Sequence, residues 1–139
     1  MIQKKRNQNS LKKIDIQFKD ETYVDEAEKV IKEIKKCRYK KEDEVTTSKL
    51  RKLLALTSEI YDELRANGMA AVTDKIAYLQ IQFVYQGGRY KGMKDFIEEA
   101  QLIEILKGIQ RSKEPKEFIR FNHYMEALVA YFKYYIEEN

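Results

Sequence analysis

Between Leu50 and Leu64 the residues Leu50, Leu53, Leu54, Thr57, Ile60, Tyr61 and Leu64 recur at steps of three and four, a spacing that only a helix gathers onto one face. Thr46, Thr47 or Ser48 supplies the N-cap, because a hydroxyl accepts from the free N–H groups of a first turn. Asn67-Gly68 ends the helix, since glycine tolerates a left-handed C-cap. Such a stripe must be buried against other elements, and the rest of the chain repeats the same period. Thr22 followed by Asp25 reads as a capping box opening a first helix to about Arg38, with Val24, Ala27, Val30, Ile31 and Ile34 inward. A third helix runs from about Met69 or Thr73 to Tyr85 and turns Val72, Ile76, Leu79, Phe83 and Val84 inward, until Gln86 to Gly92, with Gly87-Gly88, breaks it. A fourth, about Met93 to Lys107, buries Met93, Phe96, Ile97, Ala100, Ile103 and Leu106. The fifth follows Ser112, tolerates Pro115 in its first turn and continues to about Glu137, with Phe118, Phe121, Tyr124, Met125, Leu128, Val129 and Phe132 inward. The class is therefore all-α, a compact bundle of about five helices.

Composition narrows the functional classes. A chain of 139 residues reads as one domain, large enough to bury a core without covalent staples. Cys37 is the single cysteine, so no disulfide framework or cysteine-based zinc site is expected, which points to the reducing cytoplasm. No apolar run approaches the roughly 20 residues needed to span a bilayer, and no membrane partner is expected. Met1 to Lys19 carries Lys4, Lys5, Arg6, Lys12, Lys13 and Lys19 against Asp15 alone, leaving the remainder near neutral. Residues 1–20 read as a basic N-terminal arm, whose Leu11, Ile14, Ile16 and Phe18 pin its second half to a single helical-bundle domain over residues 21–139. A basic arm on a near-neutral body is common in proteins that touch nucleic acid and equally in solubilising tails.

The second helix breaks a rule of helix electrostatics. Its N-terminus carries partial positive charge and favours acids, yet the first turn holds Lys49, Arg51 and Lys52, while Glu59, Asp62 and Glu63 come later. Each misplaced cation costs about a few tenths of a kcal/mol, a penalty that vanishes when an anion occupies the site. Hydroxyls, free N–H groups and three cations together suit a phosphate. The plainer reading is solvated surface charge with slight mutual repulsion.

Other motifs carry less. Gly87 to Gly92 lacks the Gly-Lys-Ser/Thr of a phosphate loop and follows a helix rather than a strand, so it is first a glycine break. Its functional variant has Arg89 and Lys91 contacting a phosphate. His123 is the sole histidine, spaced to share a helix face with Glu126, and one Glu-to-His pairing does not make a di-iron or zincin site. Packing at a helix interface accounts for it. Cys37, among Lys35, Lys36 and Arg38, reads as an incidental thiol or as one with a lowered pKa. Phe121, Tyr124, Tyr131, Phe132, Tyr134 and Tyr135 make the last helix aromatic, which serves a core or protein interface more often than base stacking.

The stretches Thr46 to Leu54, Tyr78-Leu79 with Val84-Tyr85 and Gly88-Arg89, and Phe121 to Phe132 (FNHYMEALVAYF) together resemble the small subunit of the type III-A CRISPR effector, the Csm complex. The resemblance runs from about Val45 to the C-terminus. It implies a small all-α bundle and a non-catalytic RNA-contacting subunit. Copies would stack head to tail beside a filament of backbone subunits and a large subunit, contacting the backbone of target RNA paired with guide RNA in antiviral defence. By position, Lys49, Arg51 and Lys52 match the family's basic helix start and Arg89 its Gly-Arg break. With Lys91 they form the candidate RNA-binding set. The implied partners are guide RNA, target RNA, the other effector subunits and neighbouring copies, with no cofactor and no metal. The competing expectation is a helical protein-interaction adaptor without RNA, whose cations pair with an acidic partner. An enzyme would have only His123 and scattered carboxylates to work with.

Overall fold

A computed structural model describes residues 11–136. Its helices are α1 (Tyr23–Lys35), α2 (Thr47–Asn67), α3 (Thr73–Arg89), α4 (Lys91–Glu99), α5 (Leu102–Ser112) and α6 (Pro115–Tyr135), with single 3-10 turns at Lys41–Asp43 and Met69–Ala71. Among the described residues no strand occurs, and no helix is long and apolar enough to cross a membrane. Of the basic arm expected over residues 1–20, residues 1–10 lie outside the described residues.

The most aromatic helix takes the centre. α6 packs against α1 on one side and α2 on the other, and Phe118, Phe121, Tyr124, Met125 and Leu128 are fully buried. Each such side chain contributes about 1.5–3 kcal/mol relative to exposure. The Tyr124 hydroxyl donates to the Ala100 carbonyl at 2.9 Å, so this buried polar atom is satisfied. α3 packs against α4 and α5, closing the other half of the bundle.

The helix count is six, not five, because the expected fourth helix divides. Gln101 sits in the left-handed region at φ 58° and separates α4 from α5. The buried set changes phase there: Met93, Phe96, Ile97 and Ala100 are followed by Leu102, Leu106 and Ile109, and Ile103 is left at the rim. The glycine break also moves. α3 runs straight through Gly87-Gly88, and the chain turns at Tyr90, whose backbone is extended. A Cβ at Gly87 would meet the Lys94 Cα at 3.5 Å, an ordinary contact, so this glycine sits in a helix crossing. Val24 and Val84, expected inward, are 42% and 53% exposed. Thr22 makes no cap bond to α1, and its hydroxyl instead accepts from the Lys19 N–H at 3.0 Å.

Residues 11–20 are irregular and strapped to the body. Leu11, Ile14, Ile16 and Phe18 pack on the core. Two buried carboxylates of α1 take up the arm's backbone: Glu26 accepts from Gln17 N–H (2.6 Å) and Phe18 N–H (3.1 Å), and Glu33 accepts from Lys12 N–H (3.1 Å). Gln101 Nε2 donates to the Ile14 carbonyl at 2.9 Å, linking the arm to the bend between α4 and α5.

On α4, Glu99 is buried, and its Oε2 has no hydrogen-bond partner among the described residues. Burial first, then the charges of Glu33 and Asp95, push its pKa up to about 7. The folded protein therefore holds a proton that the unfolded chain releases, so this stabilisation is intact below about pH 4.5 and lost as pH rises through 7. Glu99→Gln is expected to match the wild type at pH 5 and to exceed its stability by about 2 kcal/mol at pH 8. Urea denaturation at the two pH values measures this.

Candidate nucleic-acid interface

The start of α2 is built as its sequence requires. Thr46 is extended, and its Oγ1 accepts from Lys49 N–H at 3.2 Å, while the first turn contains no acid. The segment leading into it is pressed on the N-terminus of α4 by a glycine. A Cβ at Gly92 would lie 2.4 Å from the Asp43 carbonyl oxygen and 2.9 Å from the Val45 nitrogen. Asp43 Oδ1 in turn accepts from Lys91 N–H at 3.3 Å.

This contact brings together cations about forty residues apart. Lys49 Nζ donates to the Glu44 carbonyl at 2.6 Å and stands 3.7 Å from the centre of the Tyr90 ring. The Arg89 guanidinium lies 4.9 Å from the same ring and 5.8 Å from that of Tyr85. An aromatic face between two cations offsets part of their repulsion and fixes their stems. Lys91 is placed differently: its Nζ pairs with Asp95 Oδ1 at 2.8 Å, and Asp95 also accepts from the Tyr39 hydroxyl at 2.6 Å. Arg51 and Lys52 are exposed on the opening turns of α2 and do not join the ring cluster. Of the five candidate cations, then, Lys49 and Arg89 converge, Lys91 is neutralised beside them, and Arg51 and Lys52 extend the surface along α2.

Tyr90 was absent from the candidate set although it centres the cluster. Its signal was local, an aromatic between Arg89 and Lys91 in the sequence. A groove of about 790 Å³ also borders the start of α2, with Lys35, Arg38, Tyr39, Thr46, Ser48 and Tyr135 on its walls. The cations, hydroxyls and rings of this end suit an extended anion, held by charge and by stacking.

The remaining candidates resolve structurally. His123 lies on α6 with its ring 5.8 Å from that of Tyr61 on α2, a helix-interface contact. Burial pushes the Cys37 thiol up, and the neighbouring Asp95, Glu99 and Glu33 charges add to this against the Tyr39 hydrogen bond, so the lowered pKa does not arise. Phe121, Tyr124 and Phe132 are core. Tyr131 and Tyr135 stack at 6.1 Å, Tyr134 meets Tyr135 edge-on at 4.9 Å, and Tyr135 donates to Glu28 at 2.5 Å. Among the described residues no group of three His, Cys, Asp or Glu side chains is placed to hold a metal ion.

Comparison with known proteins points one way. The family described as Csm2 Type III-A matches residues 17–138. That span reaches well before Val45, where the motif resemblance began. The protein "CRISPR system Cms protein Csm2" of Streptococcus thermophilus is 47% identical over 116 residues, covering 84% of this chain and 93% of the relative. Proteins of the same name from Mycobacterium tuberculosis (strain CDC 1551 / Oshkosh) and Enterococcus italicus are 42% and 34% identical over 95 residues each. Both alignments cover 66% of this chain, with 75% and 68% of the respective relatives. The chain belongs to the Csm2 family of type III-A CRISPR-system proteins.

Proposed function

We propose that this chain is a non-catalytic structural subunit of a type III-A CRISPR ribonucleoprotein, contacting the backbone of target RNA paired with guide RNA and stacking with neighbouring subunits. The observation that carries the RNA contact is the acid-free start of α2, where Lys49 and Arg89 are held on Tyr90 and Arg51 and Lys52 stand exposed. Cations aligned with free helix N–H groups bind phosphates whatever the base, so base pairing with the guide reads the sequence while this subunit holds its backbone. Family membership supplies the setting, and the near-neutral body leaves faces for protein neighbours.

The test is a mild-salt affinity purification of a tagged copy from its native cell, with sequencing of the bound RNA and mass spectrometry of the partners. Short guide RNAs with other CRISPR effector subunits are expected. Recovery of unrelated proteins without RNA would overturn the reading and leave the cations as a docking surface for an acidic protein.

A further inference from the structure

Three pieces of chain bound the groove beside the start of α2. The end of α1 and the residues after it supply Lys35 and Arg38, the entry to α2 supplies Thr46 and Ser48, and the end of α6 supplies Tyr135 and Ile136. Lys35 Nζ lies 5.8 Å from the centre of the Tyr135 ring, so the α1 and α6 walls meet at that contact. Among the described lining residues Glu44 is the one acid, against the cations Lys35 and Arg38. The α2 wall opens a helix whose first turn has no acid, and Ser48 there carries one of the N–H groups that a helix cannot pair internally. Lys49, Arg51 and Lys52 follow directly. Cations at a helix start disfavour the free protein until an anion faces them.

The chain carries acids to this groove from its opposite wall. α6 ends at Tyr135, and Ile136 closes it by donating its N–H to the Phe132 carbonyl at 2.9 Å. Both residues line the groove, and the next two in sequence are Glu137 and Glu138. A residue adds at most about 3.5 Å of chain, so both acids begin within about 7 Å of the groove's own wall. Acids following a helix C-terminus face its negative end, as cations at the start of α2 face a positive one. Two helix ends across one groove thus break the same rule with opposite charges. Setting the acids of one against the start of the other removes both mismatches at once.

We infer that in the free protein Glu137 and Glu138 dock across this groove and set their carboxylates against the start of α2, where they compete with RNA phosphates. The docking is independent of the RNA reading, and only the competition rests on it. An anion must displace the chain's own acids to reach Ser48 and the cations after it. Loosely held RNA is thereby discouraged, because the effective affinity of a site falls with the fraction of time it stands open.

The test uses the full chain, freed of nucleic acid and labelled with nitrogen-15. In Glu137→Gln/Glu138→Gln the amide resonances of Thr46 and Ser48 are expected to shift, while those of Leu106 and Ile109 on α5 stay in place. Glu98→Gln/Glu104→Gln removes two exposed acids that do not line the groove, and it is expected to leave Thr46 and Ser48 unmoved. The Glu137/Glu138 variant is also expected to bind an oligouridylate of about 20 nucleotides about fivefold more tightly at about 50 mM salt, the factor for a site covered about four-fifths of the time. That advantage is expected to shrink as salt screens the carboxylates. Helical circular dichroism confirms the fold of each variant. Resonances of Thr46 and Ser48 that ignore the Glu137/Glu138 substitutions overturn the docking, and so does a difference from wild type that vanishes on dilution, which assigns the acids to another copy. An equal gain in affinity from Glu98→Gln/Glu104→Gln reduces the effect to net charge and overturns the competition. An oligouridylate that binds neither wild type nor variants overturns the RNA reading alone, because the resonances decide the docking.

Discussion

Gly92→Ala is expected to lower stability by about 2 kcal/mol and the melting temperature by about 6–10 °C. The added methyl would stand 2.4 Å from the Asp43 carbonyl oxygen and 2.9 Å from the Val45 nitrogen. Both are backbone atoms, so no side chain can swing aside, and either the loop into α2 or the first turn of α4 must move. Alanine's helix preference returns up to about 1 kcal/mol, which the displacement outweighs. The damage is local to the candidate interface, because the same loop carries the Asp43 carboxylate that accepts from Lys91 N–H and the Glu44 carbonyl that anchors Lys49. Gly88→Ala is the control: nothing surrounds that position within 4 Å, so in dilute protein it is expected to leave stability unchanged or raise it by up to about 1 kcal/mol. Thermal unfolding of the two variants side by side decides the matter. Equal melting temperatures would mean that the loop yields freely and does not hold Lys49 in place.

The contrast between these glycines shows what a one-dimensional pattern conveys. Gly87-Gly88 reads as a break because glycine is a poor helix residue, yet α3 continues to Arg89 and the turn falls at Tyr90. The reason is tertiary: Gly87 lies where α4 crosses, and α3 has neighbours on two sides to hold it helical. The long helices were legible because their stripes are long. All seven residues expected inward on the last helix are buried, and Thr46 caps α2 as its hydroxyl and position suggest. The split at Gln101 was missed because Met93 to Leu106 can be threaded on a single helix if Ile103 is taken as core. The real second stripe is Leu102, Leu106 and Ile109, out of phase with the first by a step that a continuous helix cannot make. The basic start of α2 was visible as a violation of dipole preference. Its assembly with Arg89 on Tyr90 was not, because it depends on a loop folding against a helix about forty residues later in the chain, and no local period encodes that.

Neutralising Lys49, Arg51, Lys52 and Arg89 together as glutamines is expected to flatten the salt dependence of target-RNA binding by the assembled effector. Each cation withdrawn from a phosphate takes about 0.7 off the slope of log affinity against log salt, so four take off about 3. Because the two lines converge near 1 M salt, affinity is expected to fall about five-thousandfold at 50 mM and about a hundredfold at 200 mM. Discrimination against mismatched targets is expected to stay as in the wild type, because base pairing supplies it. Lys91→Gln alone is expected to change the slope by clearly less than one cation's share, since Asp95 already holds its charge at 2.8 Å. A surface that merely decorates the protein would give parallel salt lines for wild type and the fourfold variant. A protein-docking surface would instead lose the subunit from the purified effector, which denaturing gels of the assembly reveal before any RNA is added. Only the RNA-backbone role predicts a complete assembly, unchanged mismatch sensitivity and a shallower slope in the same preparation.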